Sequence, residues 1–146
     1  MTVTIQIEGL DQVQAALRKF GAKAEAAIDR DVTTTALEVN TAVKKAIQRG
    51  PKTGVIYTRG NITHQASAPG QAPATDTGVL VSSVYFQNTG KMSATIGSRL
   101  AYAYYLEYGT TRIAPRPSWQ PATEDGQKKL NARVLKTLER LANGPN

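Results

Sequence analysis

The sequence predicts an α+β fold: a long N-terminal helix packed on a small antiparallel sheet, with a long loop and a C-terminal helix. Three patterns predict it. Residues 2–8 alternate in polarity with a period of two, residues 10–47 and 119–142 place apolar side chains in steps of three and four, and two short alternating runs flank a turn near residue 90. The chain has 146 residues, 40% hydrophobic and 20% charged, which fits one domain over residues 1–146 with a core large enough to fold without a metal or disulfide staple.

In Thr2–Glu8, Val3, Ile5 and Ile7 share one face and Thr4, Gln6 and Glu8 the other, as in a half-buried strand that ends at Gly9. From Leu10 the spacing becomes helical: Leu10, Val13, Leu17, Phe20, Ala24, Ile28, Val32, Ala36, Val39, Val43 and Ile47. Asp11 in the first turn and Lys44, Lys45 and Arg49 near the end suit the helix dipole, and Gly21 marks a point where one helix can become two. Gly50-Pro51 stops the helix.

Residues 49–78 hold five glycines and three prolines with no sustained periodicity. A connection of that length inside a compact domain usually has a function. Its only large apolar side chains are Val55, Ile56, Tyr57 and Ile62, too few to offset the cost of ordering it, so a flexible loop is expected over about 50–78. Val79–Gln87 and Met92–Gly97 read as a hairpin turning at Asn88-Thr89-Gly90-Lys91. Tyr102, Tyr105, Leu106 and Tyr108 fit a short helix capped by Gly109, with most of its tyrosines in the core and at least one, Tyr104 by our choice, against a partner. Pro115, Pro117 and Pro121 mark an extended corner, and Trp119–Ala142 is amphipathic through Leu130, Val134, Leu138 and Leu141, with a short disordered tail expected over 143–146.

Composition narrows the chemistry. With no cysteine and a single histidine, His64, thiol nucleophiles, iron–sulfur ligation and structural zinc sites are set aside, and the chain is expected to be neither an enzyme nor a binder of cofactor, metal or small-molecule substrate. Asp29 and Asp31 lie on different helical faces, and Glu124-Asp125 sits where a helix start favours acids. His64, near Thr63 and Asp76, reads as a hydrogen-bonding surface group. Gly50-Pro51-Lys52-Thr53-Gly54 lacks the spacing of a phosphate-binding loop. No apolar run of about 18 residues or secretory leader is read, so no membrane crossing is expected.

The net charge of +7 is unevenly placed. Residues 44–75 carry five Lys/Arg and no acid (Lys44, Lys45, Arg49, Lys52, Arg59), and residues 126–146 carry five against Glu139 (Lys128, Lys129, Arg133, Lys136, Arg140). A small basic DNA-binding protein acting through phosphate contacts is therefore one reading, although neither cluster is interleaved with aromatics as a single-strand platform would be.

Two segments carry a resemblance. His64-Gln65-Ala66-Ser67-Ala68-Pro69-Gly70-Gln71-Ala72-Pro73 running into Asp76-Thr77-Gly78-Val79-Leu80, and Tyr102-Ala103-Tyr104-Tyr105-Leu106-Glu107-Tyr108-Gly109-Thr110 with Ala114-Pro115-Arg116-Pro117, resemble the tailed-phage tail-component family called gene-product-ten-like, from an HK-type siphophage. The resemblance spans nearly the whole chain. Ser118 and Trp119 depart from it, standing where the family more often has a leucine-like filler and a phenylalanine. It implies a structural virion protein assembled in the bacterial host cytoplasm and placed at the neck or tail end. It further implies a ring of six copies that meets a head-closure or tail-terminator ring and the tail tube, with DNA present only as the passing genome. Lys52, Tyr57, Arg59, His64 and Tyr104 are the candidate partner-facing residues. Glu107, Arg116 and Trp119 are expected to form a folding corner in which Glu107 pairs with Arg116 and the indole is buried.

Overall fold

The computed structural model describes residues 1–5, 14 and 21–143. Its elements run β1 (Thr2–Ile5), α1 (Ala22–Arg49), β2 (Ile56–Arg59), β3 (Ile62–Gln65), α2 (Val79–Ser83), β4 (Val84–Gly90), β5 (Ser93–Ser98), α3 (Tyr102–Tyr108) and α4 (Gln120–Ala142). The α+β class holds. Of the helix expected over 10–20 only Gln14 is described, in helical conformation, and the tail at 144–146 lies outside the described residues.

β1, β5 and β4 form an antiparallel sheet in that spatial order, with Val3 opposite Ile96 and Phe86 opposite Ile96 on the other side. β2 and β3 form a second, two-stranded sheet. The hairpin expected from Val79 begins later: Val79–Ser83 is a helical turn after Gly78, whose φ of 77° is left-handed, and only from Val84 does the chain extend. The turn hydroxyls explain the difference. Ser82 Oγ donates to the Gly78 carbonyl and Ser83 Oγ to that of Leu80, closing a turn that alternation of Val79 and Val81 does not reveal.

α1 is the spine of the core. Ala24, Ile28, Val32, Ala36, Val39, Val43 and Ile47 are buried along one stripe and meet Val84, Ala94 and Ile96 of the sheet, Leu80 and Val81 of α2, and Leu130 and Val134 of α4. α1 and α4 are also joined by polar groups: Thr137 Oγ1 donates to Asp31 at 2.6 Å, and the Arg133 guanidinium donates to Thr35 at 2.6 Å and to Glu38 at 2.7 Å. Facing Val39, α4 carries Gly126, and a β-carbon there would lie 2.2 Å from Cγ2 of Val39. Gly126→Ala is expected to destabilise by about 1–3 kcal/mol despite its better helix propensity, because β-branched Val39 cannot rotate aside. Adding Val39→Ala should make the alanine at 126 nearly neutral relative to Val39→Ala alone; chemical denaturation of the four proteins of the cycle tests this coupling.

Candidate functional site

Residues 50–78 are not structureless. The β2–β3 hairpin turns through Gly60, φ 60°, and Asn61, and pairs Ile56 with Gln65, Tyr57 with His64, Thr58 with Thr63 and Arg59 with Ile62. The sequence signal was present in the four residues Val55-Ile56-Tyr57-Thr58, all good strand formers, but their strand is too short to show a period.

The hairpin stands out from the core and is tied down at its base. Gly54 N–H donates to the Ala66 carbonyl, and Ala66 N–H to that of Val55. Gln71 accepts from Ala68 N–H at 2.8 Å and gives its amide to Thr53 Oγ1 at 2.8 Å. Gly54 has to be glycine, because a β-carbon would lie 2.5 Å from the Ser67 carbonyl oxygen. Beyond the base, Asp76 is a clamp: its Oδ1 is 2.7 Å from His64 Nε2 and its Oδ2 is 3.4 Å from Arg59 Nη1. Tyr57 stacks on the His64 ring with centroids 5.8 Å apart.

Tyr57, Arg59 and His64, three of the sequence-predicted partner-facing residues, therefore meet on one hairpin, with Lys52 just before it. Tyr104 is on a different element, α3. Val55 is 78% exposed, Ile56 64% and Ile62 61%, an unusual display of aliphatic side chains on a two-stranded sheet. Asp76→Asn is expected to loosen this hairpin, since the amide loses the charge that faces Arg59 and His64. Limited trypsin digestion should then cut at Arg59 several times faster than in the wild type; equal rates would show that the base contacts alone hold the hairpin.

The tyrosine segment departs from expectation. Tyr102, Tyr104, Tyr105 and Tyr108 are all exposed, and the core side of α3 is made by Ala103, Glu107 and half-buried Leu106. Tyr104 packs edge-on against Tyr105 at 6.0 Å and tilted on Tyr108 at 4.7 Å, so the rings form a small aromatic surface. A cleft of about 180 Å³, lined by Thr75, Asp76, Leu80, Tyr102, Leu106 and Arg116 among others, runs between this helix and the segment that carries the clamp.

The corner behind α3 is built differently from the expected ion pair. Glu107 is buried and accepts backbone N–H groups from Ser118 at 2.8 Å, Trp119 at 3.1 Å and Gln120 at 2.7 Å, the unpaired donors at the start of α4. No α4 residue supplies a capping side chain, so the carboxylate of another helix does so. Arg116 instead donates from Nη1 to Ser67 Oγ at 2.9 Å, stitching the corner to the base of the hairpin segment. Trp119 is 2% exposed beside the cap. An acid near two arginines invited pairing; the sequence gives no sign that orphan N–H groups would outbid the guanidinium for the carboxylate.

Several cations of the two basic clusters already have partners: Arg59 with Asp76, Arg133 with Glu38, and Lys129 with Asp125 at 2.6 Å. The hydrogen bond from Lys129 to Asp125 raises the ammonium pKa above its ordinary value. Among the described residues no group of His, Cys, Asp or Glu is placed to hold a metal ion, and no helix is long and apolar enough to cross a membrane.

Compared with known proteins, the chain gives no match among curated proteins or among solved structures. Over residues 11–109 it matches a family model described as "Bacteriophage HK97-gp10, putative tail-component". That span takes in α1, the hairpin with its Asp76 clamp and the tyrosine helix, and so the chain belongs to the HK97 gp10-like family of bacteriophage tail components.

Proposed function

We propose that the protein acts by assembly, as a ring subunit, with six copies in the ring, that completes the tail end or neck of a tailed phage at the head–tail junction. There it meets a head-closure or tail-terminator ring on one side and the tail tube on the other. The observation that carries this reading is the exposed aromatic surface of α3, Tyr104, Tyr105 and Tyr108, in a family of tail components. Tyrosine is enriched at interfaces because its ring buries area at small entropic cost while the hydroxyl tolerates water. The surface lacks charge and suits contact with a second copy of a chain whose net charge is +7.

Glu107 and Trp119 support that surface from behind: the carboxylate that caps α4 sits on α3 between Tyr105 and Tyr108 and fixes the helix that carries the rings. Tyr104→Ser combined with Tyr108→Ser is expected to weaken self-association by about tenfold or more, with unchanged melting because neither ring is in the core. Sedimentation over a concentration series checks this. Unaltered association would remove α3 from the interface, and a wild type that stays monomeric at high concentration and on tails would remove the ring.

The alternative of DNA binding through phosphate contacts draws on Lys128, Lys136 and Arg140 of α4 and on Lys44, Lys45 and Arg49 of α1. It is weakened by the internal pairing of Arg59, Lys129 and Arg133. Retention on duplex DNA that falls steeply with salt would favour it over the assembly reading.

A further inference from the structure

The register of the β2–β3 hairpin fixes which of its backbone groups are spoken for. The Ala66 N–H bond to Val55 and the two-residue turn at Gly60-Asn61 place the hydrogen-bonded pairs at Tyr57/His64 and Arg59/Ile62. Ile56 and Thr58 are the alternate, non-bonded residues of β2. Their N–H and C=O groups point away from β3, and among the described residues the sheet contains no third strand to receive them. An open edge of this kind invites strand addition, and natural proteins usually blunt it with charge, proline or a covering element. Here the edge is Val55-Ile56-Tyr57-Thr58, with all four side chains exposed and neither a charge nor a proline among them. It is already held in extended form by Gln71, the Gly54–Ala66 bond and the Asp76 clamp, so a partner would find it ordered.

The charge around it selects the partner. Residues 44–75 carry five cations and no acid; Asp76 answers Arg59, which leaves Lys44, Lys45, Arg49 and Lys52, on the segment leading into β2, without an acidic partner among the described residues. Among the described residues a second copy of this chain offers little to meet them. Among the described residues every carboxylate except Glu139 is engaged within the chain: Glu25 with Lys91, Asp29 with Met92 N–H, Asp31 with Thr137, Glu38 with Arg133, Asp76 with Arg59 and His64, Glu107 with the α4 N-terminus, Glu124 with Gln120 and Asp125 with Lys129.

We infer that the outer edge of β2 is a strand-addition site for an extended segment of a different, acidic virion protein, pairing with the backbone of Ile56 and Thr58. Affinity would come from ladder hydrogen bonds and from the aliphatic side chains of Val55 and Ile56, and the basic surroundings would speed encounter. This inference rests on the reading of the protein as an assembling tail component and adds a mode of attachment to it.

The test uses the full-length protein with tail particles and, separately, DNA-filled heads assembled in its absence. Thr58→Pro removes one outward N–H without touching the β2–β3 ladder, and Thr63→Pro does the same on the β3 edge. Binding to one of the two particles should weaken by about tenfold or more in Thr58→Pro and by little in Thr63→Pro. Amide exchange at Ile56 and Thr58 should be fast in free protein and slow in the bound form. Circular dichroism and trypsin resistance at Arg59 confirm that each variant keeps its hairpin; where Thr58→Pro does not, the exchange measurement on wild type decides.

If wild type binds particles while the Ile56 and Thr58 amides stay fast, strand addition is wrong and the tail role stands. If those amides are protected by self-association alone, or by duplex DNA alone, the partner has been misassigned and the inference is overturned. Failure of wild type to bind either particle overturns both this inference and the assembly reading.

Discussion

Glu107→Ala is expected to cost about 3–5 kcal/mol of folding stability. The carboxylate is buried and its two oxygens serve three consecutive backbone donors, Ser118, Trp119 and Gln120, at 2.7–3.1 Å. Charge-assisted bonds of this kind are the stronger class, and the positive end of the α4 dipole adds to them. Alanine would leave the N–H groups of Ser118 and Trp119, both residues buried, without an acceptor, and each such orphan costs about 1–3 kcal/mol. Glu107→Gln keeps one carbonyl oxygen but turns an amide N–H toward the donors, so it should lose roughly half as much. Chemical denaturation of the three proteins gives the order directly. A loss below about 1 kcal/mol for alanine would mean that water replaces the carboxylate and that the cap is not what orders this corner. The assembly reading adds a second expectation: because Glu107 lies on the helix that carries the tyrosines, the alanine protein should also associate more weakly at temperatures where it is still folded.

What the sequence makes legible here is periodicity, and what it hides is who bonds to whom. α1 and α4 were readable because Ile28, Val32, Val39, Val43 and Ile47, and Leu130 and Val134, recur at helical spacing, and all of them are buried in the structure. The first strand of the β4–β5 hairpin starts later than the pattern predicts: Val79 and Val81 alternate as a strand would, while Ser82 and Ser83 bond back to the preceding turn. Tyrosine in a dense run looks like core. In a seven-residue helix only one face can be inward, and here Ala103 and Glu107 occupy it, leaving the rings outside. The candidate partner-facing residues Tyr57, Arg59 and His64 came from charge and aromatic content alone, yet they fall on paired positions of one hairpin. Asp76 is within reach of His64 on sequence grounds, but that it also faces Arg59, and so gathers two of them, shows only in three dimensions. The two flanking prolines, which fix the backbone at Arg116, make it the expected partner of Glu107; the structure gives Glu107 to the backbone and Arg116 to Ser67, a choice no composition argument can make.

Replacing Val55–Ala66 by two glycines is expected to leave the fold nearly as stable as before and to abolish joining of heads to tails. The energetic side follows from what the hairpin touches. Its strands pair with each other and none of their residues belongs to the buried core, so its loss exposes little apolar surface and removes some. The gap is easily closed, since Gly54 N–H already bonds to the Ala66 carbonyl and the backbone at Gly54 lies against Ser67. Asp76 loses Arg59 and His64, but its side chain is 24% exposed and can turn to water at small cost. Melting should therefore move by no more than a few degrees, in a range set by about 1 kcal/mol. The functional side follows from the assembly reading: a segment that contributes so little to the core, yet is held extended by the Gln71 bonds, the Asp76 clamp and the Arg116 link at its base, is built for contact outside its own chain. Complementation of a phage lacking the gene, scored as free heads and free tails by electron microscopy, is the measurement. Particles that join normally with the shortened protein would assign the hairpin no part in assembly and leave the tyrosine face of α3 as the sole candidate contact. A collapse in melting would show instead that the hairpin is part of the folding unit, and its exposed aliphatic side chains would then need a different explanation.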